Sequence, residues 1–317
     1  MKKLLMGMMI IGALTACGTK DDKTTTKGSD TITIGISQIV EHPSLDAIRQ
    51  GVEDAVKESE YGLKVKFDFQ NAQGDFATAQ TIADQFNRGS DIIVAITTPS
   101  AQAAQNKITD KPVFFTGVTN PVAAGLNADN VTGVSDMSPV ADQVRLIKEL
   151  LPNVKTVGTI YNTSEANSVF LTEKFTEAAN EEGLEVVARG VSSVSEVASA
   201  MDSLSRVDAI YTTKDNTVAS AYALIVNKAD EAGIPVIGAT RDFASMGALA
   251  SAGTSEYNAG YQTGEMIVRY LGGEMIEDMP TEFVENVEIV LNSEKSEKFG
   301  LNIDEIIKNN SDMEVIR

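Results

Sequence analysis

From Thr31 onward, short apolar runs alternate with segments whose apolar residues recur every three or four positions. The runs at 32–37, 63–69, 91–96, 113–116 and 131–135 predict strands in the first half of the chain. Those at 156–161, 184–188, 209–212, 235–238 and 248–252 predict strands in the second. Between them, Leu45, Ile48 and Val52 repeat at helical spacing, as do Leu171, Phe175 and Ala178. Tyr257, Tyr261, Gly264 and Val268 mark one face of another helix. Alternating strands and helices predict an α/β fold whose parallel sheets are covered on both sides. Their connections should be right-handed crossovers. The pattern restarts near Lys155, which predicts two similar α/β lobes.

Before Thr31 the pattern is different. Lys2 and Lys3 precede an apolar run from Leu4 to Ala13, then small residues, then Cys17, the only cysteine. That is the layout of a secretory signal peptide. The run spans about ten residues, too few for a membrane helix, which needs roughly 20. Leu14-Thr15-Ala16-Cys17 closely resembles the bacterial lipobox. The resemblance implies that residues 1–16 are a lipoprotein signal peptide and that Cys17 carries a diacylglyceryl thioether of palmitate-like chains. Two chains suffice for stable anchoring. Residues 18–30 contain no apolar side chain and read, with Cys17, as a lipidated tether over 17–30. The expected location is extracytoplasmic, lipid-anchored to the bacterial cell membrane.

Charge and chemistry narrow the function. Lys plus Arg number 26 against 45 Asp plus Glu, a formal charge of -19. Phosphate contacts need a positive surface, so nucleic acid is not an expected partner. One histidine and one lipidated cysteine argue against a zinc or manganese site. No Gly-x-Ser-x-Gly elbow and no Gly-rich phosphate loop occurs, so neither an enzyme nor a cofactor is expected.

In open parallel sheets, ligands bind beyond the carboxyl ends of the strands. Polar loops fall there repeatedly, and each supplies candidate ligand contacts. The first holds Gln38, Glu41 and His42, the next Thr98, Pro99, Ser100 and Ala101, and the third Thr119 and Asn120. In the second half come Asn162, Glu165, Asn167 and Ser168, then Asp215 and Asn216, then Asp242. Thr98 suits a helix N-cap and Pro99 the first helical position. The N–H groups of Ser100 and Ala101 would then face an anion such as a ligand carboxylate. His42 precedes Pro43 and either shapes that loop or touches ligand.

The segments Gly35 to Asp46, Asn71 to Asp75, Thr98 to Gln102, Phe115 to Leu126 and Asn130 to Asp136 resemble a bacterial family of substrate-binding lipoproteins. So do Tyr161-Asn162 with Glu165 to Ser168, and Asp215-Asn216-Thr217. The family serves ABC transporters and includes tryptophan- and tyrosine-binding members. It implies a type I periplasmic-binding-protein fold of two Rossmann-like lobes joined by three crossovers. Lobe 1 would comprise 31–136 plus about 247–280, and lobe 2 would comprise 137–246 plus about 281–317. The implied ligand is a small molecule, an aromatic amino acid by preference, handed to an ABC permease and its ATPase. A sensory lipoprotein, or the same fold holding a nucleoside or sugar, are the alternatives.

One position departs from the family. Its Thr-Asp-Pro reads Thr119-Asn120-Pro121 here. Position 120 either caps a turn, where Asn and Asp are interchangeable, or removes a carboxylate from the ligand's ammonium. In the second case Asp215 is the expected replacement, with Glu41, Glu165 and Asp242 next. Asp215 could instead only cap its helix.

Overall fold

The structure is a computed structural model that describes residues 31–317, so the expected signal peptide, Cys17 and the expected tether lie outside the described residues. β1 (Ile32–Gln38) leads into α1 (Pro43–Glu58), where Pro43 occupies the first turn and needs no N–H partner. Leu45, Ile48, Val52 and Val56 form the buried stripe of α1. β2 (Val65–Asn71), α2 (Phe76–Gly89), β3 (Ile92–Ile96), α3 (Thr98–Lys107), β4 (Val113–Val118) and β5 (Val131–Ser135) continue the series. β3 reads "IIVAI" and is buried throughout, as a strand covered on both faces must be.

The second series runs α4 (Val140–Leu150), β6 (Thr156–Asn162), α5 (Ala166–Glu181), β7 (Glu185–Val191), α6 (Val194–Asp202) and β8 (Ala209–Thr212). It continues through α7 (Asn216–Ser220), α8 (Tyr222–Ala232), β9 (Val236–Gly238), α9 (Arg241–Ser245) and β10 (Ala250–Thr254). The last elements are α10 (Glu256–Leu271), β11 (Glu282–Phe283), β12 (Val287–Asn292), α11 (Ser293–Lys298), α12 (Ile303–Asn309) and β13 (Met313–Ile316).

Two sheets result. The first has the order β11-β5-β4-β3-β1-β2 and the second β13-β12-β10-β9-β8-β6-β7. All neighbours are parallel except β10 and β12. On β8, Ile210 and its neighbour Tyr211 point to opposite faces and join separate cores. One core contains Tyr222 stacked on Phe243, and the other Phe175 stacked on Tyr211.

The described part is therefore the two-lobed α/β architecture, but the sequence places two strands in the wrong lobe. β10 falls inside the segment from 247 assigned to lobe 1, yet it pairs with β9 and β12 in the second sheet. Its partners lie in the second lobe, and the chain crosses only at Ser255, which caps α10. Conversely, β11 follows 281 and still pairs with β5 in the first sheet. A short βαβ step completes its own sheet before the chain leaves it.

α10 crosses back to pack along α1, and glycines let the backbones touch. A Cβ on Gly260 would lie 1.9 Å from the Ile48 carbonyl oxygen. One on Gly51 would lie 2.2 Å from that of Tyr257. This contact fixes α1, whose N-terminus reaches the cleft. No helix among the described residues is long and apolar enough to cross a membrane.

Candidate functional site

The strand ends of both lobes meet around a cavity with about 420 Å³ of empty space, part of it open to solvent. Lobe 1 contributes His42, Ser44, Leu45 and Ile48 around the start of α1, Thr97 before α3, Gly117 near the end of β4 and Thr119 just after it. Asp136 follows β5 at the first crossing, and Glu256 opens α10 at the second. Lobe 2 contributes Asn167, then Lys214, Asp215, Asn216 and Ala219, then Thr240 and Phe243.

Lobe 1 presents polar atoms without partners. His42 Nδ1 and the hydroxyls of Ser44, Thr97, Thr98 and Ser100 are buried and find no hydrogen-bond partner among the described residues. Buried polar groups are rarely left so. The starts of α1 and α3 both border the cavity, and helix N-termini favour negative charge. Burial drives the His42 pKa down to about 4 against the pull of Asp46, so the imidazole is neutral at pH 7. Thr97 precedes α3 with φ 81 and ψ 161, a region almost confined to glycine. Its hydroxyl does not cap the helix.

Charge enters from the crossings. Lys214 Nζ lies 2.8 Å from Asp136 Oδ2 and 3.1 Å from Glu256 Oε1, and also donates to Thr254 Oγ1. The three ionisable side chains are only 7%, 5% and 4% exposed. Burial opposes the Lys214 charge, but Asp136 and Glu256 outweigh it and raise its pKa. Burial raises Glu256 to about 7, with Lys214 pulling the other way and Asp136 adding to the rise. Asp136 Oδ1 is buried with no partner among the described residues.

Of the sequence candidates, His42, Thr119, Asn167, Asp215 and Asn216 line the cavity. Thr98, Pro99, Ser100 and Ala101 form the buried first turn of α3, one residue behind the wall. The cap position is Thr97 rather than Thr98, because the helix begins one residue earlier than its Pro suggests. The Gln38 amide nitrogen donates to Val40 and Asp46 while its buried Oε1 has no partner among the described residues, and Glu41 is exposed beside Asn71. Asn120 caps a turn by accepting from the Ala123 N–H at 3.0 Å, so it has a local role.

Asp215 lines the cavity but is engaged within its own lobe. Its Oδ1 accepts from the Val218 N–H at 2.8 Å, as an N-cap does. Its Oδ2 accepts from the Asn162 N–H at 2.5 Å and from the Ser168 hydroxyl. With both oxygens engaged, it is a poor partner for a ligand ammonium. Asn162 and Glu165 line a neighbouring cavity, and Asp242 an outer polar one. Burial and Asp215 raise Glu165 to about 7, against hydrogen bonds from Asn216 and Asn167. Asp136, Lys214 and Glu256 are the residues that reasoning from the sequence missed. Each stands within a few residues of a strand's carboxyl end, which is the signal that could have found them.

Over residues 33–315 the chain matches the family described as ABC transporter substrate binding protein. It is 38% identical over 307 residues to a tyrosine-binding protein of Clostridioides difficile (strain R20291), covering 92% of this chain and 89% of that one. It resembles the solved structure of an ABC domain in complex with L-Trp from Streptococcus pneumonia, with TM-score 0.85, 36% identity, and coverage of 90% and 100%. It also resembles a ligand-free, open substrate-binding protein with adhesive properties from Clostridium difficile. There the TM-score is 0.68 at 38% identity, with 90% and 99% covered.

Proposed function

Since the chain belongs to the ABC transporter substrate-binding proteins of the tyrosine- and tryptophan-binding type, we propose that it captures a free aromatic α-amino acid between its lobes. The family binds and delivers solutes outside the cytoplasm and is not enzymatic. The observation that carries the ligand reading is the cavity's polarity: Asp136, with one buried carboxylate oxygen left unpaired, lines a space bordered by two helix starts. A zwitterion matches that arrangement, its carboxylate at Ser44 and Thr97 and its ammonium at Asp136. Leu45, Ile48 and Phe243 supply apolar walls for the side chain.

The lobe arrangement agrees with this reading. Two relatives of nearly equal identity differ in TM-score, and the L-Trp complex is matched better than the open form. The ligand would then be handed to an ABC permease and its ATPase, with the protein held at the membrane by lipid on Cys17. Calorimetry with the amino acids and common nucleosides tests the ligand. L-tyrosine or L-tryptophan should bind with an affinity that nucleosides do not approach, and a preference for nucleosides would remove the reading. Mass spectrometry tests the anchor: the mature chain should begin at a diacylated Cys17, and an unmodified cysteine there would exclude it.

A further inference from the structure

The charge triad at the crossings is unbalanced: two buried carboxylates share one lysine. An uncompensated charge at such depth is strongly disfavoured. Something positive must complete the set. Asp136 already takes the shorter contact from Lys214, at 2.8 Å, and the Lys214 ammonium also reaches the Asp136 carbonyl. Glu256, at 3.1 Å, is the weaker partner and therefore the better holder of a proton.

Glu256 also stands between two spaces. Inward it lines the interlobe cavity, beside the unpaired Asp136 oxygen. Outward it lines a separate polar cavity with Arg241, Asp242, Glu288 and Glu314. That outer space, about 720 Å³ of it empty, gives a proton a route to solvent that does not pass the ligand. Its first position in α10, after the Ser255 cap, favours the ionised form, while burial favours the neutral one. The two influences poise the group.

We propose that Glu256 exchanges a proton for the ligand's ammonium, so that capture of an amino acid expels a proton through the outer cavity. This rests on the amino-acid reading above and deepens it. In the empty cleft the proton on Glu256 balances the triad. When an ammonium reaches Asp136, the balance is restored by a second cation, and Glu256 ionises.

The groups facing Glu256 are Lys214 from the loop after β8, Asp136 from the first crossing, and Arg241 and Asp242 from α9. Glu288 and Glu314 come from β12 and β13, Tyr257 adjoins it, and His42 stands across the inner cavity. Arg241 is already paired with Glu288 and Glu314. His42, lowered to about 4, and Lys214, raised well above neutrality, do not change charge between pH 5.5 and 7.5. Glu256, near 7, does. Glu165, also near 7, is the competing source of a proton and is bonded to Asn216 and Thr217 in the next cavity.

Calorimetry of the purified protein with L-tyrosine and L-tryptophan at pH 6.5, in buffers of different ionisation enthalpy, counts the protons. The ligand's own amine is fully protonated there. Wild type should release about half a proton or more, and its affinity should weaken by up to about tenfold per unit as pH falls below 7. Glu165→Gln should keep the release and Glu256→Gln should lose it, its affinity becoming flat with pH. Binding with no proton release in wild type overturns this proposal and leaves the amino-acid reading standing. Release that survives in Glu256→Gln and vanishes in Glu165→Gln also overturns it. Absence of binding by either amino acid overturns both. Should Glu256→Gln fail to fold, carbon-detected NMR of the wild-type glutamates decides. A carboxyl titrating near 7 and shifted downward by ligand is expected, and one unmoved by ligand refutes the exchange.

Discussion

The two lobes bring the same kind of strand-end loop to the cavity, yet they leave their polar groups in opposite states. In lobe 2 the groups mostly satisfy one another. Glu165 accepts from Asn162, Asn216 and Thr217, while Asp215 takes bonds from Asn162, Ser168 and Val218. In lobe 1 the hydroxyls of Ser44, Thr97, Thr98 and Ser100 and the Nδ1 of His42 find no partner among the described residues. Among the described residues of lobe 2, Asn167 Oδ1 and the hydroxyls of Thr213 and Thr240 are also left without partners, beside a network in which the carboxylates are satisfied. A connected buried network rigidifies its loops before any ligand arrives. Unpaired groups, by contrast, gain most from a ligand that supplies their partners. Lobe 2 is thus the prepared wall, and lobe 1 the wall whose hydrogen bonds the ligand completes.

The sharpest way to break this contrast is at the crossing between the lobes. Asp136→Asn removes the charge of a cavity-lining carboxylate whose Oδ1 has no partner among the described residues. Truncating a member of a buried charge pair typically costs about 2–5 kcal/mol, so amino-acid affinity should fall at least about 30-fold by calorimetry. An affinity within threefold of wild type would mean that the ammonium lies elsewhere.

The next effect is on stability and follows from pH. Glu165 and Glu256 each stand near 7 in the fold, above the ordinary glutamate value of 4.5. A raised folded pKa means stability that is present at low pH and lost as pH rises through the folded value. Cooling the charge of both groups by acidifying from pH 8 to 6.5 should stabilise the ligand-free protein by about 1 kcal/mol for each. His42 works in the opposite sense, but only below its ordinary 6.5, where the unfolded chain takes up a proton that the fold refuses until about 4. Thermal unfolding should therefore show a melting temperature that rises from pH 8 to 6.5, and rises less in Glu165→Gln. A melting temperature that falls over that interval would contradict the assigned burial.

Asp215→Asn separates the two kinds of wall. Its carboxylate receives three donors, and an amide can accept on only one side. Leaving buried donors unpaired costs about 1–3 kcal/mol, so the melting temperature should drop. Affinity should suffer less than in Asp136→Asn. The reverse order, with affinity hit harder than stability, would return Asp215 to the role of ammonium partner.

This reversal shows what the sequence carries and where it stops. Hydrophobic periodicity identifies the βα units, because burial on one helix stripe or both strand faces leaves a direct mark, as in "IIVAI". It cannot say which sheet a short strand joins: the residues of β10 are buried alike beside β9 or beside β5. β12 and β13 go unseen for a related reason. Their partly exposed positions at one end of the second sheet dilute the apolar signal. In the site, polar runs after strands point to the right loops but not to the right atoms. Asp215 and Asn216 stand out in their run, while Lys214 beside them reads as a solvated charge. Its two partners lie 78 and 42 positions away along the chain, on separate crossings. No local pattern records that meeting.

The smallest expected effect concerns Thr97, where lobe 1 carries strain as well as unpaired groups. Its φ of 81 with ψ of 161 lies where a β-branched side chain is disfavoured by roughly 1–3 kcal/mol. The backbone is held there because the Thr97 N–H donates to the Thr116 carbonyl at 2.9 Å while its own carbonyl accepts from Ala101 at 3.0 Å. Thr97→Gly would release the strain, and the greater freedom of glycine in the unfolded chain would offset about 0.4–1 kcal/mol of the gain. The ligand-free protein should therefore become more stable, by about 1 kcal/mol, when measured by denaturant unfolding. The same change deletes a hydroxyl that lines the cavity without a partner, and a lost hydrogen bond to a charged carboxylate should weaken binding about tenfold. Thr97→Ser keeps the hydroxyl and should recover most of that affinity. Higher stability together with lower affinity in the glycine variant would mark Thr97 as a residue retained for the ligand. Lower stability would show that its backbone is comfortable as it stands.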